Sequence, residues 1–210
     1  MYNVLFYGDS NTWGFDPETG LRYPYHLRWT SVCARLLGEG YNCIPAGMNG
    51  RTTAFDDPVK GARNGLRGLD YELQTHKPLD LFVVMLGTND LKYAGAEEVA
   101  AGMDRLLDMV LTANERFRLS SPVFPAGARI LLVSPVLLKA HVGDIPSDIS
   151  DSVRLAELYG SIAERRGLHF MDAEEYAEAS VVDGIHIGPE GHSSLGKAVA
   201  ESIRKILQSD

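Results

Sequence analysis

A serine attacks a carbonyl carbon at neutral pH only when a neighbouring base takes its proton. Ser10 is the serine best placed for that task. Val4-Leu5-Phe6-Tyr7 reads as a buried strand, and Gly8 ends it abruptly. Asp9-Ser10 then falls on the turn at the strand's C-terminal end, the crevice where open parallel sheets bind ligands. A plainer reading has Asp9 and Ser10 capping the next element, as Asp and Ser commonly do. The candidate base is His186. Asp183 lies three residues before it, and Gly184 allows a tight bend that brings the carboxylate to the imidazole Nδ1–H. That contact fixes the tautomer and leaves Nε2 to accept a proton from a serine hydroxyl. Alone, an Asp-x-x-His is more often a loop with a satisfied histidine. His192 stands nearby but inside the expected final helix, where it packs or faces solvent.

Attack on an ester puts negative charge on the former carbonyl oxygen, so donors must already point at it. Three candidates are the Ser10 N–H, the Gly50 N–H and the side-chain amide of Asn89. A glycine at 50 lets backbone approach closely, and Asn89 offers an NH₂ that does not titrate. Each also has a plain reading as a turn residue, Asn49-Gly50 above all. Trp13, Phe15 and Trp29 either wall an acyl or aryl pocket or pack in a core or interface. Arg51, beside Gly50, either contacts substrate or pairs with Asp56 or Asp57. Asp9 and Asp90 read as structural. The histidines and carboxylates lack metal-ligand spacing, so neither metal nor cofactor is expected.

The elements that must hold these residues emerge from periodicity. Besides the opening strand, Tyr41–Ala46, Leu81–Leu86, Ile130–Val133 and Leu168–Met171 read as strands. The six unbroken apolar residues of the third suit a central parallel strand covered on both faces. Helices are expected over about 30–37, 65–76, 99–111 and 149–166, and from Pro189 onward. The segment 139–148 is irregular and suits one wall of a pocket. This alternation predicts an α/β fold. The expected form is a three-layer α/β/α sandwich over a five-stranded parallel sheet in the flavodoxin-like order 2-1-3-4-5, with residues 1–210 as a single domain. Loops at the ends of neighbouring strands then bring Gly8-Asp9-Ser10, Asn49-Gly50-Arg51 and Gly87-Thr88-Asn89-Asp90 together, with Asp183-Gly184-Ile185-His186 folding over them.

Composition bounds the partners. The chain has 210 residues, 45% hydrophobic and 23% charged, as in ordinary globular proteins. A net charge of -8 opposes a nucleic-acid or anionic-membrane partner. No apolar run reaches membrane-spanning length, and Met1-Tyr2-Asn3 enters the first strand without a basic segment, so a cytoplasmic protein is expected. Cys33 and Cys43 read as small buried apolar residues.

The four blocks together, Gly8-Asp9-Ser10, Gly50, Gly87-Thr88-Asn89-Asp90 and Asp183-Gly184-Ile185-His186, resemble those of the SGNH (GDSL-type) hydrolases, in that family's order. The resemblance implies Ser10 as nucleophile, His186 as base and Asp183 as its orienting carboxylate, with Ser10, Gly50 and Asn89 as the oxyanion hole. Gly8 through Gly14, Leu21-Arg22-Tyr23-Pro24, Arg28-Trp29-Thr30 and Arg51-Thr52-Thr53 with Asp56-Asp57-Pro58 look like the bacterial arylesterase and acetyl-ester hydrolase branch. Membership there implies a small-molecule ester substrate, chiefly acetyl, on an aryl alcohol or carbohydrate. It also implies a homo-oligomer and, for some members, acyl transfer to alcohols. A thioesterase or lysophospholipase would use the same residues on longer chains, and a flavodoxin-like binding module would use the Gly8–Thr12 loop alone. Two departures from the branch stand out: Asn11 occupies a place where many relatives carry Leu, and the segment after the fourth strand is shorter.

Overall fold

The computed structural model describes residues 1–139 and 149–208. Apart from Lys139, the segment expected to wall a pocket therefore lies outside the described residues, as does most of the shortened connection. Five parallel strands, β1 (Tyr2–Gly8), β2 (Tyr41–Gly47), β3 (Leu81–Met85), β4 (Ile130–Ser134) and β5 (His169–Asp172), form one sheet. Their order is β2-β1-β3-β4-β5, as the alternation of elements predicts.

Side chains alternate across each strand, so the sheet carries a core on each face. Val4, Phe6, Leu81, Val83, Met85, Leu131 and Val133 point to one face. There they meet α2 (Trp29–Leu37) and α7 (Pro189–Gln208) through Trp29, Cys33, Leu195, Val199 and Ile203. Leu5, Tyr7, Phe82, Val84, Ile130 and Leu132 point to the other. That face is covered by α3 (Gly65–His76), α4 (Ala96–Leu111) and α6 (Ser150–Arg166), using Leu69, Leu73, Met103, Leu106, Leu155 and Ile162. At ~25 cal/mol per Å², sealing both faces stabilises the sheet far more than any single polar contact. Among the described residues, no helix is long and apolar enough to cross a membrane.

Two details differ from the periodicity reading. Ser10, expected on a turn, opens a one-turn helix, α1 (Ser10–Trp13), and Asp9 caps it as its plainer reading has it, the side chain accepting the Asn11 N–H at 2.9 Å. A second short helix, α5 (Ala113–Arg116), extends α4. Both are too short to show a 3.6-residue period. Cys33 is buried as expected, whereas Cys43 is only half-buried; both are free thiols.

Candidate active site

The site is built at the C-terminal edge of the sheet, where Gly8 pairs in register with Gly47 of β2 on one side and Met85 of β3 on the other. α1 must leave β1 at this edge and fold straight back over β2. Only residues without a side chain permit that. A Cβ at Gly47 would stand 2.2 Å from the Trp13 backbone nitrogen, and one at Gly8 would stand 2.0 Å from Thr12 Oγ1. These two glycines therefore set α1 on the sheet edge with Ser10 at its first turn. There the Ser10 amide has no acceptor within its own helix.

The second half of the site comes from the loop before α7. Asp183 Oδ1 accepts the backbone N–H groups of Ile185 and His186 at 3.0 and 2.9 Å. Gly184 takes φ +66°, which closes this tight turn. Asp183 Oδ2 lies 2.5 Å from His186 Nδ1, and His186 Nε2 lies 2.8 Å from Ser10 Oγ. With the carboxylate as acceptor, Nδ1 carries the proton and Nε2 accepts from the serine hydroxyl. Ser10 is 7% exposed, so the residue is mostly shielded from solvent. Phe15 packs its ring against the His186 imidazole, tilted by 36° with centroids 4.3 Å apart. The sequence placed Phe15 as a pocket wall or packing residue, and no periodic signal pairs a loop aromatic with a histidine so far along the chain.

The donor turns are bonded to one another. Gly8 C=O accepts the Met48 N–H at 3.1 Å, which carries the Gly50 turn back toward α1. Asn89 Nδ2 donates to Arg51 C=O at 3.1 Å, and Asn89 Oδ1 accepts from Lys92 at 3.4 Å. These contacts orient the amide and leave its second N–H for another acceptor. Asp90 Oδ1 accepts from Thr53 N–H at 2.8 Å and Thr53 Oγ1 at 2.5 Å, locking the third turn to the second. Ser10, at the start of α1, and Gly50 and Asn89, on the turns after β2 and β3, thus stand at one sheet edge.

In place of the Asp56 or Asp57 pairing that is one reading of it, Arg51 is held by its own neighbours. Its guanidinium donates to the carbonyls of Gly8 and Ala46 and lies 4.0 Å over the Tyr7 ring. Glu72 approaches it at 3.8 Å, while Asp56 pairs with Arg67. Burial of the whole group beneath the turn is what redirects it: a buried cation takes the carbonyl oxygens within reach. Trp13, half-buried at the end of α1, carries the Arg22 guanidinium 4.8 Å from its ring. His192 is fully buried, and its Nδ1 accepts the Trp29 N–H at the start of α2 at 3.2 Å.

The electrostatics divide these groups. Burial raises the Asp183 carboxyl, but hydrogen bonds from the His186 ring and from the His186 and Ile185 amides outweigh it and hold it below the usual range. Asp183 is therefore a carboxylate at neutral pH. Burial pushes Asp9 up to about 6 and Asp90 up to about 7. His192 is pushed down to about 4, first by burial and then by the charge of His186, so it stays neutral. Among the described residues, no group of three His, Cys, Asp or Glu side chains is placed to hold a metal. A cavity of about 780 Å³ runs along Glu174–Val181 and Gly188–Gly191 and is lined by neither Ser10 nor Asn89.

Residues 6–193 match the model of the GDSL-like lipase/acylhydrolase family. No curated protein matches the chain in sequence. Solved structures do. A chain from Agrobacterium tumefaciens str. C58, provisionally assigned as an arylesterase, is 42% identical, with TM-score 0.89 over 99% of this chain and 100% of that one. A carbohydrate acetylesterase family member from Sinorhizobium meliloti is 35% identical, with TM-score 0.91 over 99% and 100%. The native aryl esterase of M. smegmatis is 35% identical, with TM-score 0.89 over the same shares.

Proposed function

The chain belongs to the GDSL-like lipase/acylhydrolase family, and from that premise we propose that it is a serine esterase of short-chain, chiefly acetyl, esters of aryl alcohols or carbohydrates. The observation that carries this reading is the unbroken Asp183–His186–Ser10 relay at 2.5 and 2.8 Å. Ser10 Oγ attacks the acyl carbon while its proton passes to His186 Nε2. The resulting oxyanion is held by the Ser10 and Gly50 N–H groups and the remaining N–H of Asn89. The tetrahedral intermediate collapses, the C–O bond to the alcohol breaks, and His186 returns its proton to the departing oxygen. Water then gives a proton to His186 and attacks the acyl-enzyme; the acyl–Oγ bond breaks, His186 returns the proton to Ser10 Oγ, and the acid is released. An alcohol in place of that water gives acyl transfer.

The aryl-alcohol and carbohydrate substrates are supported by the two kinds of esterase among the similar structures. The 210 residues act as one hydrolase domain around the single sheet.

The test is a rate series on p-nitrophenyl esters of increasing acyl length, with Ser10→Ala alongside. Activity highest on the acetate, falling with chain length and absent in the variant, is expected. Rates that rise with chain length would replace the substrate assignment, and ester cleavage independent of Ser10 would end the mechanistic one.

A further inference from the structure

Ser10 and His186 lie 176 residues apart in the chain, and the bond between them breaks in every turnover. Once Ser10 carries an acyl group, its Oγ has no proton to share, yet the imidazole must stay close enough to hold a water against the ester. Asp183 cannot supply that constraint. It belongs to the same loop as His186, so its three contacts shape the loop without fixing the loop's distance from α1. The loop's other backbone bonds, Ser180 N–H to His186 C=O, Gly184 N–H to Ser180 C=O and Lys139 N–H to Gly184 C=O, also run away from Ser10.

Asn11 makes the missing connection. It follows Ser10 in α1 and is 2% exposed. Its Nδ2 donates to Ile185 C=O at 3.2 Å, and its Oδ1 accepts the Ile187 N–H at 2.9 Å. The two partners are the peptide groups on either side of His186. A planar amide bonded at both ends restricts sliding and rotation together, which one hydrogen bond does not. Among the described residues, it is the polar link from α1 to this loop that does not use a reacting atom.

We propose that Asn11 is a positioning residue that sets the His186 imidazole against the Ser10 oxygen and keeps it there while the enzyme is acylated. The proposal rests on the Ser10–His186 reading above. Asn11 touches no reacting atom and acts through the backbone on both sides of the base. A leucine at this place, as many relatives carry, has similar volume but neither donor nor acceptor, so the loop would then be aligned by packing alone.

The experiment compares Asn11→Leu, His186→Ala and the double variant on p-nitrophenyl acetate, with thermal unfolding and circular dichroism to establish folding. Folded Asn11→Leu is expected to lose about 10- to 100-fold in kcat with KM within about threefold of the parent, the scale of a misplaced catalytic group. In the His186→Ala background, the same substitution should change the residual rate by less than about twofold, because the group it positions is gone. A merely structural Asn11 would lower the unfolding temperature and leave kcat of the folded enzyme alone. The proposal is overturned by kcat within about threefold of the parent, or by an equal loss in both backgrounds. If Asn11→Leu does not fold, Asn11→Asp decides by the same two criteria, since it keeps the acceptor for Ile187 N–H and loses the donor to Ile185 C=O. Full activity in His186→Ala would instead sink the reading of the site itself. An inactive His186→Ala beside a fully active Asn11→Leu would sink this inference alone.

Discussion

Replacing Asp183 by Asn changes one atom and should cost most of the activity. The carboxylate does two jobs with two oxygens. Oδ1 takes the Ile185 and His186 amides, and Oδ2 takes the His186 ring at 2.5 Å. In Asp183→Asn, the carboxamide oxygen can still accept both amides, so the turn keeps its shape. The NH₂ then faces Nδ1 and can be satisfied only if Nδ1 gives up its proton and becomes the acceptor. The proton moves to Nε2, which lies 2.8 Å from Ser10 Oγ and can no longer receive one. In the serine-protease template, the same exchange lowers kcat by about 10⁴ through the wrong tautomer. At 1.36 kcal/mol per tenfold, a loss of 10³–10⁴ is about 4–5.5 kcal/mol of barrier. Steady-state hydrolysis of p-nitrophenyl acetate near pH 7.5 should show that loss in kcat, with KM little changed and unfolding temperature close to the parent. Asp183→Ala is the control. It leaves two amides without their acceptor, at about 1–3 kcal/mol each, so it should lose stability as well as activity. Asp183→Asn with kcat within tenfold of the parent would refute the tautomer argument.

Two further outcomes come from packing and burial. Gly47→Ala forces a methyl group against the Trp13 backbone nitrogen and must move α1. Overpacking of about 1–3 kcal/mol should lower Tm by several degrees and reduce kcat with it, and a Tm within about one degree of the parent would show that α1 is not seated as described. Burial raises Asp90 from 3.8 to about 7, and its Oδ2 has no partner. The folded value exceeds the unfolded one, so this group's contribution is fully present below pH 3.8 and is lost as pH rises through about 7. Relative to Asp90→Asn, the parent should therefore lose roughly 1.4 kcal/mol per pH unit across that window. Urea unfolding at several pH values measures it, and parallel stability curves for the two proteins would remove Asp90 as the titrating group.

The order of strands and the two-faced core were legible in the sequence because both are written locally. Val4 through Tyr7 and Leu81 through Leu86 are apolar runs that end at a glycine, and five strand segments alternating with amphipathic helices admit few topologies. The candidate residues Ser10, Gly50, Asn89, Asp183 and His186 were legible for a related reason. Each stands where an element ends, and their side-chain types are complementary. The distant partners were not legible. Nothing in the pattern around Asn11 indicates that its amide meets the peptides beside a histidine near the other end of the chain, nor that Phe15 packs against that ring. Arg51 shows the same limit. A cation beside a glycine turn looks ready to pair with the nearby Asp56 or Asp57, and only the fold puts Tyr7 beneath it and two carbonyls in its reach. Residue type and local period determine which elements form and which groups are able to react. Which of those groups meet, and which are consumed in holding the others still, depends on contacts between chain segments that only the folded sheet brings together.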